Sequence, residues 1–140
     1  MNSIWQTSIL FGVVIWFAAT SVLGTAGNIL VPEASGTGPV VFALLFAILA
    51  AIGGALVGFA VVRLVRPIDT GKALSQVSVA VVAVGLFADA ILILACGITY
   101  PGLERSRLST LLTGLLLAYS GLAIGPFFAQ RALRRLGGKK

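Results

Sequence analysis

Histidine is absent from this 140-residue chain, and cysteine occurs once, at Cys96 inside an apolar run. No zinc or haem ligand set can be assembled without those residues, no disulfide can close within one chain, and no cofactor is expected. Charge is scarce too, at 10% of residues against about 25% in a soluble domain. A chain so poor in charge cannot cover its own surface in water. The alternating polarity of membrane β-strands, which would recur over about ten residues, is also missing. What is present is apolar sequence, 59% of the chain, gathered into several runs of about 18 residues or more, the length of a bilayer-crossing helix.

The expected fold is therefore all-α, a polytopic transmembrane four-helix up-down bundle in a single domain over residues 1–140. The spans fall at about 4–24, 40–65, 75–99 and 108–128, followed by a basic tail at 129–140. The first run lacks a basic leading segment and is too long for a signal peptide, so it reads as a true first span. Asn28 to Pro39 reads as a short exposed connection, and Pro67 with Gly71 breaks the basic loop from Arg63 to Lys72. Gly71-Lys72 lacks the other residues of a phosphate loop. Asp69-Thr70-Gly71 spells an aspartic-protease triplet without the second facing carboxylate such chemistry needs. Asp69 or Thr70 is better read as a helix cap, and Ser106 or Ser109 as a cap for the last span. Tyr100-Pro101-Gly102-Leu103 carries Pro and Gly at the central positions of a type II turn.

The net charge of +6 does not mark a nucleic-acid binder, because its basic residues sit at span ends. Arg63, Arg66 and Lys72 in one loop join Arg131, Arg134, Arg135, Lys139 and Lys140 in the tail, against Arg105 and Arg107 on the opposite side. Basic loops stay cytoplasmic, so both termini are expected in the cytoplasm. The tail would also meet anionic lipid headgroups, each basic residue near the surface contributing about 1 kcal/mol. Along the tail helix, Phe128, Ala132, Leu133 and Leu136 are placed to face lipid.

Small residues recur at helical spacing. Ala47, Ala51 and Ala55 share one face of the second span, and Ala50, Gly54 and Gly58 another. Such lines let helices approach closely, either within the bundle or across a homo-oligomer or larger membrane complex. The fourth span carries Gly114, Ala118, Gly121 and Gly125, with Pro126 expected to kink it. In the first span Ser8, Gly12, Trp16, Thr20, Gly24 and Asn28 recur every fourth residue and draw a stripe down one face.

The most informative residue is Asp89, an acid inside the apolar stretch Ser78 to Thr99. A carboxylate at bilayer depth costs about 2.5–3.5 kcal/mol on insertion scales, so it faces protein or water rather than lipid. No base lies at its depth, which favours the neutral acid. Its expected hydrogen-bond partners by depth are Tyr119, Thr20, Ser21 and the Trp16 N–H, with Gly85 one turn earlier leaving space or allowing close contact. Two functions follow: a non-enzymatic accessory or interaction subunit in which Asp89 is a buried, neutral hydrogen-bonding residue, or a small proton- or cation-coupled transporter or channel that uses it. A lipid- or quinone-like ligand near Trp16 and Tyr119 is a third reading. Enzyme chemistry is not expected, since intramembrane aspartyl proteolysis needs a second carboxylate and a lone Ser or Cys without a base is no nucleophile system.

Gly85-Leu86-Phe87-Ala88-Asp89 together with Tyr100-Pro101-Gly102-Leu103 resembles a family of small four-span bacterial integral membrane proteins classed as a domain of unknown function. The resemblance covers the third and fourth spans and the arginine-ended second span. It implies a bacterial inner-membrane protein and supplies no activity. Small multidrug transporters are also short, with four spans and one membrane acid, but theirs lies in the first span and the acid here in the third.

Overall fold

The computed structural model describes residues 3–97 and 100–137. The expected end of the third span at Thr99 and the last tail residues, Lys139 and Lys140, lie outside that range. Among the described residues there are four α-helices and no strand. These are α1 (Ser3–Leu30), α2 (Gly38–Val65), α3 (Thr70–Ala95) and α4 (Leu108–Gly137), the last preceded by a 3₁₀ turn at Arg105–Arg107. Each is long and apolar enough to cross a membrane.

Local chemistry sets the ends of these helices. Asp69 caps α3, its Oδ1 accepting the Lys72 N–H at 3.0 Å. Pro39 stands in the first turn of α2, where a missing N–H costs nothing. At Tyr100–Leu103 the Leu103 N–H donates to the Tyr100 carbonyl at 3.1 Å, with Gly102 at φ +70° as a type II turn requires. No side chain caps the start of the last helical segment at Glu104, and Ser109 uses only its carbonyl, which accepts from Thr113. α1 runs on through Asn28 to Leu30, because Val31 is fully buried and its N–H continues the ladder to Gly27. α4 likewise continues through the basic tail, whose Ala, Leu, Gln and Arg residues are good helix formers. Helix α4 is also unbroken at Pro126, whose ring packs into the notch left by Gly54 and Gly58.

Consecutive helices reverse direction, yet the closest pairs are not consecutive. α2 packs most extensively on α4, α1 on α3, and α3 on α4, while α1 and α2 touch little. The register of each pair can be read from its small residues. Gly114 lies on Phe42, Gly121 on Ala47 and Ala51, and Gly125 on Ala51 and Ala55, so α2 and α4 run parallel. Gly12 lies on Val81 and Val84 while Asn28 meets Glu104 beyond the end of α3, so α1 and α3 also run parallel. Gly85 under Tyr119, Ser78 bonded to Ala123 and Gly71 beside Gln130 make α3 and α4 antiparallel.

The small-residue lines of α2 therefore pack within the bundle. A Cβ at Gly54 would lie 3.2 Å from the Leu122 Cα, and one at Gly58 would lie 3.1 Å from the Pro126 Cα. This topology gathers the start of α1, the α2–α3 connection and the end of α4 at one end. There Ser3, Ile4, Arg66 and Lys72 border a common cleft. The opposite end is tied by Arg107, which donates to the Val31 carbonyl at 2.6 Å and pairs with Glu33 at 3.2 Å.

A bulky side chain at the α2–α4 seam has nowhere to go. A Cβ on Gly125 would come within 2.8 Å of the Ala55 nitrogen, whereas one on Gly53 meets nothing within 4 Å. Gly125→Leu is expected to lower unfolding stability in micelles by about 1–3 kcal/mol or more, as overpacking does. Gly53→Ala is expected to leave it unchanged or raise it by up to about 1 kcal/mol through helix propensity. Equal stability of the two variants would contradict this register.

Candidate functional site

The polar residues of the interior converge on Asp89. α3 ends at Ala95, so the acid lies about 9 Å from that end by helical rise, midway between the centre of the helix and its end. It is only 5% exposed. Its Oδ1 accepts the Trp16 indole N–H at 2.7 Å and the Tyr100 hydroxyl at 3.3 Å. The Tyr119 hydroxyl donates to Oδ2. A carboxylate has about four lone-pair sites, and three donors from α1, α4 and the turn occupy most of them.

Each donor is in place for a local reason. Trp16 belongs to the four-residue stripe of α1, whose members from Gly12 to Asn28 face α3 or the turn beyond it. Ser8 is fully buried, Gly12 admits Val81 and Val84, and Gly24 comes against the backbone of Gly102. Thr20 meets the Tyr100 hydroxyl at 3.1 Å, and the Asn28 Oδ1 accepts the Glu104 N–H at 2.9 Å. Gly85 is the seat of the Tyr119 ring, since a Cβ there would lie 3.0 Å from the phenol oxygen. Space beside the acid is thus taken by a ring from α4. Tyr100 is delivered by the type II turn, which folds its side chain back along α3 and leaves the residue 2% exposed. It lies in the connection between helices, where burial pushes its phenol up to about 12, so it remains a donor.

Of the expected partners, Trp16 and Tyr119 reach Asp89 directly. Thr20 reaches it only through Tyr100. Ser21 does not take part: it is exposed and donates to the Phe17 carbonyl one turn back. One residue further along a helix is a rotation of about 100°, which carries Ser21 off the stripe. Tyr100 is the partner that sequence reasoning missed, its role hidden behind a turn signal.

The cluster closes one side of a chamber of about 230 Å³ between the four helices. Its other walls are apolar and include Gly12, Ala19, Phe46, Ala50 and Gly53. The chamber lies beside the α1–α2 interface, the sparsest contact between neighbouring helices, where Ala19 and Leu49 are exposed.

Fold and site together define a class, a bundle of four helices each long and apolar enough to cross a membrane, with a hydrogen-bonded carboxyl group buried among them. Searches with the chain find no matching family model, no matching curated protein and no matching solved structure.

Removing single members of the cluster should cost different amounts. Trp16→Phe and Tyr119→Phe each delete one bond and are expected to cost about 0.6–2 kcal/mol of unfolding stability in micelles. Asp89→Leu strands several donors at once and is expected to cost about 1–3 kcal/mol per group left unpaired. A stable Asp89→Leu protein beside a destabilised Trp16→Phe protein would show that the acid is not the hub.

Proposed function

We propose that the chain is a non-enzymatic membrane subunit, an accessory or interaction protein in which Asp89 holds α1, α3, α4 and the Tyr100 turn in register. The observation that carries this reading is the saturation of a 5%-exposed carboxylate by Trp16, Tyr100 and Tyr119. A group so enclosed in its own hydrogen bonds suits a fixed structural role better than repeated binding and release of a cation. In this reading the acid is neutral, so no bare charge stands among apolar helices.

The membrane is a bacterial inner membrane in this reading, as the family resemblance implies. Both termini face the cytoplasm. Support for the orientation comes from charge: Arg63, Arg66, Lys72, Arg131, Arg134 and Arg135 belong to the end where α2 and α4 finish, and Arg105 and Arg107 to the other. The basic end of α4 then meets anionic headgroups. Its companion is a second copy or a larger membrane assembly, met through the many exposed apolar side chains of α1 and α2.

The test uses proteoliposomes and infrared spectroscopy on the same preparations. Native protein is expected to show no proton or monovalent-cation flux above empty vesicles, and a protonated-carboxyl C=O stretch that disappears in Asp89→Asn. Flux that requires Asp89 would replace this proposal with a transporter or channel. A carboxylate signal in place of the acid band would remove the neutral-acid assignment.

A further inference from the structure

We infer that the chamber beside Asp89 is a binding site for an oxygenated ring dissolved in the bilayer, the one- or two-ring head of a quinone- or phenol-type molecule. This goes beyond the structural role of Asp89 and stands or falls separately from it.

Three observations carry the assignment. The first is space. The chamber measures about 230 Å³, and a dry apolar cavity of about 150 Å³ already accepts benzene, so a one- or two-ring head is the right scale. Gly53 borders this space with nothing within 4 Å of a Cβ built there, although elsewhere in α2 the glycines Gly54 and Gly58 are pressed against neighbouring helices. The room at Gly53 is therefore unfilled and serves no helix contact.

The second is the lining. Trp16, Phe46, Tyr100 and Tyr119 bring aromatic side chains to a wall that is otherwise aliphatic. Aromatic side chains favour a flat ring, through offset or edge-to-face contact, over a flexible chain end that loses rotamer freedom on binding.

The third is the place of polarity. The Trp16 N–H and the hydroxyls of Tyr119 and Tyr100 are spent on Asp89, but Thr20 bonds only the Tyr100 hydroxyl, to which it is the donor. The Thr20 hydroxyl can therefore turn to donate to a ring carbonyl or accept from a ring hydroxyl without disturbing the bonds to Asp89. An apolar pocket with a few placed polar groups is the usual form of a small-molecule site. Entry is sideways, past Ala19 and Leu49 where α1 and α2 touch least, so the ligand arrives from the acyl-chain layer.

The chain has two tryptophans, Trp5 and Trp16, so Trp5→Phe leaves one reporter, on the chamber wall. In nanodiscs, titration of this protein with 2-methyl-1,4-naphthoquinone should quench Trp16 fluorescence along a saturable curve. Gly53→Phe, which fills the chamber from its open wall, should leave only the linear quenching expected of quinone dissolved in lipid. Thr20→Val, equal in shape but without the hydroxyl, should weaken binding about 2- to 10-fold, the loss of one hydrogen bond. Both variants are checked for an unchanged unfolding midpoint, and Thr20→Val alone decides the matter if Gly53→Phe does not fold. Linear quenching in the parent, or a saturable curve unchanged by either folded variant, would overturn the assignment. So would quenching by lipids brominated on their acyl chains that the quinone cannot displace, which would give the chamber to an acyl chain.

Discussion

A carboxyl group inside an apolar bundle must be given hydrogen bonds by protein, because neither water nor lipid can supply them at that depth. Much of the arrangement around Asp89 follows from that demand. Trp16 must sit on the face of α1 that meets α3, so the stripe from Ser8 to Asn28 has small residues above and below it where the helices close. Tyr119 must cross from α4, so Gly85 has no side chain. Tyr100 must come back from beyond the end of α3, so the chain turns there with Gly102 in a left-handed conformation. The acid is the meeting point of three segments that otherwise share few polar contacts.

The other half of the bundle is held by a different principle. α2 and α4 carry no polar bridge between their spans among the described residues; they associate by close approach at Gly54, Gly58, Gly114, Gly121 and Gly125. Between lipid-soluble helices there is no hydrophobic drive, so this contact depends on dispersion over two matched surfaces. The two modes meet at α3–α4, where Tyr119 bonds the acid and Ser78 donates to the Ala123 carbonyl at 2.9 Å. Since α1 is held by α3 and α2 by α4, nothing pulls α1 and α2 together, and the chamber lies along that weak boundary.

How much of this was legible in the sequence depends on whether a feature is local or periodic. The four helices, the Asp69 cap and the type II turn all come from short-range chemistry and could be read directly. The stripe of α1 was legible because its spacing is helical, and it named Trp16, Thr20 and Asn28, each of which makes a hydrogen bond to α3 or the turn beyond it. Tyr119 was legible by counting residues from the connecting turn. Tyr100 was not, because its reach to Asp89 depends on where α3 stops and how the chain folds back. The packing role of Pro126 was not legible, because its ring becomes a surface only beside Gly54 and Gly58 of another helix. The pairing of non-consecutive helices was hidden as well, since connection lengths do not say which faces match. The chamber left least trace, because empty space beside Gly53 has no spacing of its own.

The central claim is that Trp16 and Asp89 stabilise the bundle through each other and not separately. A double-mutant cycle of Trp16→Phe and Asp89→Leu, read by reversible unfolding in micelles, measures that coupling directly. The account predicts a coupling of about 0.6–1.7 kcal/mol, the range of hydrogen bonds between membrane helices. Additive losses, with a coupling indistinguishable from zero, would contradict it.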